Sequence, residues 1–365
     1  MKKPDYVFIG LVAALAVFGL VMLSSASSAA AYERFGDNYW YLKHQLMFGL
    51  APGVIAFLLM LRLDYRKWKR YALPFLVVSI GLLLLVFIPG LAADYGTSKS
   101  WINIFGMSLQ PAEIVKLTFL IYLAAWLGPK RGGRDMQEAG TSFIPFAAVF
   151  GIIVVLMVLQ PDIGTLSVIA MISLIVYFAA GAPLSHLAWI SGAGALLFFL
   201  LVRFAPYRTA RLMTFLHPEL DPQGVGYHIN QALLAIGSGG FFGLGLGLSR
   251  QKFQYLPEVA GDSIFAVMAE ELGFLFMILF VAALVFLAIR GFKIAKNAPD
   301  GFGRLLAIGI TSWFVLQSFI NIGAMAGILP LTGIPLPFVS YGGTALTVCL
   351  AAAGIMANIS KYSKE

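Results

Sequence analysis

"LPEVAGDSIFAVMAEELGF", residues 256–274, sets Glu258, Asp262, Glu270 and Glu271 at the entrance to an apolar run that continues to about residue 290. A run of that kind belongs in a bilayer, where ionisable groups are costly and usually face a cavity or a partner. The fold turns on whether the rest of the chain also reads as membrane-bound. The function turns on what the four carboxylates do there.

Composition answers the first question. Of 365 residues, 60% are hydrophobic and 12% charged, and the mean hydropathy is +0.87, which is far from a soluble domain and close to a polytopic membrane protein. Ten apolar spans lie near 6–26, 44–63, 71–90, 111–128, 143–160, 165–182, 184–204, 263–290, 304–328 and 338–359. Each is long enough, or nearly so, for a bilayer-crossing helix of about 20 residues. The chain therefore reads as one all-helical integral membrane domain, 1–365, with one extended non-membrane stretch, about 205–262, between spans seven and eight. The first span precedes "SSASSAAA" (24–31), which superficially resembles a leader cleavage site. Its apolar core, Val7 to Leu23, exceeds the usual leader core of roughly 7–15 residues, so a retained helix is expected.

Ten crossings put both termini on one side. With the termini cytoplasmic, most of the 25 basic residues fall in inside segments, including "RLDYRKWKR" (62–70) and "GPKRGGR" (128–134). The short outside loops carry only Arg34, Lys43 and Lys99. This is the positive-inside bias. It accounts for most of the net charge of +8 without a nucleic-acid partner. Cys349 is the single cysteine, and His44, His186, His217 and His228 show no ligand spacing, so neither a disulfide nor an imidazole-held metal is expected.

The remaining basic residues carry more information. Lys116 falls inside span four, Arg203 ends span seven, and Arg208, Arg211, Arg250 and Lys252 lie in the long outward segment. Within that segment "IGSGGFFGLGLGLSR" (236–250) is apolar and glycine-rich, and is expected to pack on the bundle or re-enter it. Asp262 either caps the helix that begins beside it or does chemistry. Glu270 and Glu271 lie eight and nine residues deeper, about 12–14 Å along a helix, and read as polar ties between helices. In "QPAEIVK" (110–116) Pro111 suits a first helical turn. Glu113 and Lys116 are i,i+3 neighbours that form an intrahelical pair or serve a ligand. Trp101 is an interface anchor or a substrate contact. The outward mouth would then gather Asp262, Glu258, Glu113 and Asp162 with Lys116, Arg208, Arg211 and Lys252. Such cations suit a pyrophosphate head group, and a neighbouring carboxylate suits proton removal from an attacking hydroxyl.

"NIGAMAGILPLTGIPLPFVSYGGTAL" (321–346) resembles the signature of the SEDS family, the shape, elongation, division and sporulation proteins that include the FtsW, RodA and SpoVE branches. Asn321, Pro330, Gly333, Pro335, Ser340, Gly342 and Gly343 fall where that pattern expects them. "YRTARLMTFLHP" (207–218), "SWINIFGMSLQPAEIVK" (100–116) and "PEVAGDSIFAVMAEELG" (257–273) resemble its other blocks, in order and over nearly the whole chain. "MLSSAS" (22–27) and "NYWYLKHQL" (38–46) lean toward the FtsW branch.

The resemblance implies a peptidoglycan glycosyltransferase of the bacterial cytoplasmic membrane with its active site outward. Its substrates would be lipid II and the growing glycan strand, and its partners a class B penicillin-binding protein and the division or elongation machinery. The family's essential aspartate falls on Asp262, its Glu-x-x-Lys pair on Glu113 and Lys116, and its loop arginines on Arg208 and Arg211. Where the family commonly has Thr-Asp-Phe, this chain has Gly261-Asp262-Ser263, so contacts made by the aspartate's neighbours do not carry over. The implied reaction is inverting, with Asp262 as general base and Arg208, Arg211, Lys252 and Lys116 stabilising the leaving pyrophosphate. Glu258, Asp162, Trp101 and Ser340 complete the candidate substrate site, and a divalent cation, Mg2+ or Mn2+, is compatible with Asp262 or Glu258. A lipid II flippase and a non-enzymatic activator of the penicillin-binding protein are the competing readings.

Overall fold

The structure is a computed structural model that describes residues 3–90, 92–95, 98–104, 107–128, 136, 138–204, 209, 213–217 and 224–363. Every expected span is helical. α1 (Tyr6–Ala26) leads through short α2 (Ser28–Phe35) to α3 (Trp40–Gln45), which runs through a π turn into α4 (Ala51–Arg62). α5 (Ala72–Leu85), α6 (Pro111–Leu127), α7 (Ile144–Leu159), α8 (Ile163–Ala179) and α9 (Leu184–Phe204) follow. α10 (Val225–Ser238) lies within the long connector, and α11 (Ile264–Lys296), α12 (Gly301–Met325) and α13 (Gly343–Ser360) complete the chain. Eight helical stretches among the described residues are long and apolar enough to cross a bilayer. α6 and α8, at 17 residues each, match the other two expected spans. The protein is an all-α polytopic membrane protein.

Local chemistry places the helix starts. Asp5, Asp162 and Asp300 are N-caps whose carboxylates accept from Phe8 N (3.0 Å), Thr165 N (3.0 Å) and Gly303 N (2.8 Å). Pro111 occupies the first turn of α6, as its missing N–H favours. α12 and α13 form the buried centre of the bundle, whereas α9 buries only His186 and exposes Leu184, Trp189 and Phe204. Apolar side chains so exposed are at home against lipid tails. α13 lies close against α4, where a Cβ on Gly53 would sit 2.6 Å from Leu350 Cδ1. Small residues permit this approach where no hydrophobic effect drives the packing. Met22, Leu23 and Ala26 of α1 are fully buried, so that helix belongs to the bundle. Both termini lie at one end, since Asp5 N donates to Ser360 Oγ (2.9 Å) and Arg290 pairs with Asp5 (2.6 Å).

Three features differ from the expected pattern. A three-stranded antiparallel sheet, β1 (Ala92–Tyr95), β2 (Ser98–Ile104) and β3 (Met107–Leu109), fills the connector before α6. α10 forms because Ile229, Ala232 and Ala235 make one apolar face that packs on α11. Finally, α11 is broken at Gly273, whose φ of 75° and ψ of 175° are non-helical. The glycine-rich segment pairs with this break: Leu244 N and Gly245 N donate to the carbonyls of Glu270 and Glu271 (2.9 and 3.0 Å), and Phe274 N and Leu275 N donate to those of Gly240 and Phe241 (2.9 and 3.2 Å). A Cβ on Gly273 would lie 2.2 Å from Gly243 N, and one on Gly243 2.2 Å from Glu271 O, so the contact admits no side chain. The segment packs on the bundle as expected, and the backbone groups freed by the break find partners.

Candidate active site

At the end of the bundle opposite the termini lies a cavity of about 1530 Å³. Its walls come from the α2–α4 region, the small sheet, the starts of α8 and α13, and the segments 252–262 and 329–335. Asp262 is placed there by its backbone. Asn321 Nδ2 donates to Asp262 O (2.8 Å) and to Ile334 O (2.9 Å), tying the turn before α11 to the wall segment. Tyr341 N donates to Ala260 O (2.8 Å), and Glu258, held at φ 50°, accepts through its carbonyl from Gly261 N (2.9 Å). A non-glycine residue held at positive φ is a local strain of the kind that gathers at functional sites. The N-cap of α11 is Ser263, so Asp262 is not the cap that its position allowed.

Asp262, Glu258, Asp162 and Trp101 do come together on this cavity. Asp162 is also bound within the wall, capping α8 and accepting from Gln110 Nε2 (3.3 Å). The two described members of the expected cationic cluster, Lys116 and Lys252, are both engaged within the protein. Lys116, 2% exposed, donates to Glu113 Oε1 and Gln317 Oε1 (both 2.7 Å) and lies under the Trp313 ring at 5.0 Å. Neither Lys116 nor Glu113 reaches the cavity surface. Gln317 passes this pair's influence on, since its Nε2 donates to Pro335 O (2.8 Å) in the cavity wall. Lys252 does line the cavity, but it is 3% exposed and its ammonium donates to Glu271 Oε1 (2.8 Å), Gly247 O (2.7 Å) and Ser25 Oγ (3.3 Å). Three donors with three protein acceptors leave it nothing for a pyrophosphate in this arrangement. Ser340 does not line the cavity; it is buried behind Tyr341 and Gly342, and its hydroxyl accepts from Leu336 N (2.8 Å). Arg208 and Arg211 lie outside the described residues.

Glu270 and Glu271 are structural ties, as their depth suggested. Glu270 accepts from Ser249 Oγ (2.5 Å), Arg250 N (2.9 Å) and Gln251 N (3.3 Å). Glu271 joins Ser25 of α1 (2.7 Å) to Lys252. Together they fasten the long connector to α1 and α11.

Other residues of the cavity escape a sequence reading. Arg34, at its rim, holds its guanidinium 5.5 Å from the Phe35 ring centroid. Among the described residues it has no ion-pair partner. Phe35 stacks on Trp40 (3.8 Å), Trp40 on His44 (5.0 Å), and His44 meets Phe48 (4.6 Å), so the guanidinium crowns a ladder of rings. The i, i+4, i+8 spacing of Trp40, His44 and Phe48 is the signal that could have found it. His228, which lines not this cavity but a smaller one next to it, also escapes such a reading; its Nε2 lies 2.6 Å from Ser263 Oγ beside Asp262.

A polytopic helical protein with a large cavity of mixed apolar and polar lining at one end and an aspartate presented on its wall defines a membrane protein that handles an amphiphilic substrate. Residues 5–365 match the FtsW/RodA/SpoVE family, described as cell cycle proteins, and the chain belongs to that family. It is 40% identical to the stage V sporulation protein E of Bacillus subtilis over 99% of this chain and 98% of that one. To the probable peptidoglycan glycosyltransferase FtsW of Trichlorobacter lovleyi it is 41% identical over 99% and 95%. Among solved structures it is similar to a chain of a peptidoglycan synthase complex that coordinates polymerization and crosslinking, with TM-score 0.81 and 28% identity over 99% and 98%. The Thermus thermophilus rod shape determining protein RodA superposes with TM-score 0.71 at 27% identity over 99% and 98%.

Proposed function

We propose that this chain is a peptidoglycan glycosyltransferase that polymerises lipid II into glycan strands. The carrying observation is Asp262, a carboxylate presented on the cavity by backbone ties while the deeper Glu270 and Glu271 are fully engaged. Asp262 takes the proton from the acceptor sugar's 4-hydroxyl. That oxygen forms a bond to the donor's anomeric carbon with inversion, and the carbon–oxygen bond to the polyprenyl pyrophosphate breaks, its electron pair leaving on the pyrophosphate. With its charge stabilised, that leaving group needs no carboxylic acid to protonate it.

Arg34 takes over the anion-binding role that Lys116 and Lys252 do not fill, since a stacked guanidinium is weakly hydrated and binds phosphate bidentately. Arg208 and Arg211 are proposed to join it. Lys116 and Glu113 act at one remove, by holding the wall through Gln317. Among the described residues, no three His, Cys, Asp or Glu side chains converge to hold a metal. Asp262 and Glu258 are nevertheless two carboxylates on one cavity, the number that Mg2+ commonly takes from protein when substrate phosphates complete its shell. Such an ion, or Mn2+, would neutralise charge developing on the pyrophosphate.

The family context supports a class B penicillin-binding protein and division or elongation proteins as partners, a site in the bacterial cytoplasmic membrane, and an outward-facing cavity. The basic residues at the terminal end, Arg62, Arg66, Lys293 and Lys361 among them, agree with that orientation. The test is glycan-chain formation from purified lipid II by the wild type and Asp262→Asn, each with and without the transpeptidase partner. Polymer from the wild type alone supports the reading. Polymer from a well-folded Asp262→Asn sinks the base role, and no polymer from either, with lipid II moved across vesicles, points to a flippase.

A further inference from the structure

Behind Asp262 lies a second, smaller cavity of about 290 Å³, bounded by Thr214, Phe215, His228, Ile229, Leu331 and Gly333. Asp262 lines both cavities and so forms part of the wall between them. His228 projects from α10, and its Nε2 lies 2.6 Å from Ser263 Oγ. Ser263 Oγ in turn donates to Asp262 Oδ1 over a long 3.4 Å. A hydroxyl has a single proton. If Ser263 gives its proton to the carboxylate, His228 must supply an N–H to the serine oxygen. The direction of donation is then imidazole to hydroxyl to carboxylate.

Ser263 is an unusual participant. It is the N-cap of α11, where a serine normally turns its hydroxyl onto the first turn of the helix. Here the cap makes no such bond, and the fully buried hydroxyl bridges His228 and Asp262 instead. His228 can hold it because α10 is itself fixed, with Ile229, Ala232 and Ala235 buried. With Oδ1 engaged by Ser263, Oδ2 lies toward Gly333, where a Cβ would come within 3.9 Å of it.

We propose that His228 is a positioning residue for Asp262, acting through the Ser263 hydroxyl to fix the orientation of the carboxylate at Oδ1. This rests on Asp262 being the base. The test is steady-state polymerisation of lipid II by the full-length protein, with its transpeptidase partner if needed for activity. The variants are Ser263→Ala, His228→Leu, their double, His228→Gln, Ser263→Thr and Asp262→Asn. Ser263→Ala and His228→Leu should each lower kcat between about tenfold and a hundredfold, the scale of a slightly misplaced catalytic group, with KM unchanged. The double variant should be no worse than either single one, because both remove the same chain of hydrogen bonds. Near-normal rates are expected of His228→Gln, whose amide still donates, and of Ser263→Thr, which keeps the hydroxyl.

Multiplying losses in the double variant, a change in KM alone, or a His228→Gln as impaired as His228→Leu would each overturn the proposal. Should His228→Leu fail to fold, the contrast of Ser263→Ala with Ser263→Thr and His228→Gln decides it. An inactive Asp262→Asn beside unaltered Ser263→Ala and His228→Leu removes only this inference. An active Asp262→Asn removes the base itself.

Discussion

Residues 256–274 use carboxylates in two opposite ways. Glu270 and Glu271 are almost fully buried, and the connector that wraps back over α11 supplies a serine hydroxyl, backbone amides and the Lys252 ammonium to meet them. Asp262, eight residues earlier, is tied by its carbonyl to Asn321 while its carboxylate lines the cavity. The difference lies in placement: where the fold surrounds a deeply buried carboxylate with its own donors it builds a joint, and where it sets one on the cavity wall it builds a reagent. Asp262→Asn is therefore expected to show the largest effect, a loss of polymerisation of about 10²- to 10⁴-fold with an unchanged melting temperature. Glu270→Gln should do the reverse, lowering the melting temperature while the folded fraction keeps its turnover. If Glu270→Gln instead abolishes turnover in a fully stable protein, the division between joint and reagent fails.

The buried ion pair sharpens the same contrast. Removing one member of Glu271–Lys252 leaves a buried charge without its partner, so Lys252→Met and Glu271→Met should each destabilise by about 3–5 kcal/mol. The double variant should recover much of that, because two apolar side chains leave no orphaned charge. Its polymerisation rate is the informative measurement. Recovery of rate together with stability places Lys252 in the joint, whereas a stable but inactive double variant returns it to the substrate site.

Asp262 and the ten spans were legible because their signals are local: hydropathy over a window, and a carboxylate at the start of an apolar run. The state of the lysines was not. Lys116 donates to Gln317, 201 positions away, and Lys252 donates to Ser25, 227 positions away. The i,i+3 pair of Glu113 and Lys116 was legible as one of two readings, but no spacing rule relates residues so distant as these, so the full engagement of Lys116 and Lys252 was not. The break at Gly273 was hidden for a related reason. "EELGF" continues a helical pattern, and only the returning Gly240–Gly245 strip supplies the backbone partners that make a break affordable. The small sheet has an alternation visible in "SKSWINI", where Ile102 is buried, but it is too short to stand out beside the spans.

Arg34 tests the other side of the comparison, since it is a cation left with its donors facing the cavity. Arg34→Ala should raise KM for lipid II about tenfold, the lower end of what a charge-assisted hydrogen bond contributes, with kcat unchanged. Arg34→Lys should recover only part of the loss, because an ammonium neither stacks on Phe35 nor forks onto a phosphate. An unchanged KM in Arg34→Ala leaves the anion-binding role to Arg208 and Arg211.

The smallest effect is expected at Asp37, close in sequence to Arg34 but with nothing buried at stake. Lys43 lies 2.6 Å from Asp37 Oδ2, and its hydrogen bond holds the carboxyl below the usual carboxylate range. A carboxyl lowered in the folded state stabilises the fold above its unfolded value, and that contribution is lost as pH falls through the folded one. Both side chains are open to solvent, so screening and side-chain entropy should erase most of the gain. Asp37→Asn is accordingly expected to leave the melting temperature unchanged at neutral pH and in acid, and to leave KM unchanged. A pH-dependent drop in melting temperature confined to the wild type would mean that the loop carrying the aromatic ladder depends on this pair. The division between buried charges saturated by the fold and charges set on the cavity would then need a third class, in which a solvent-exposed pair fixes the geometry of a site.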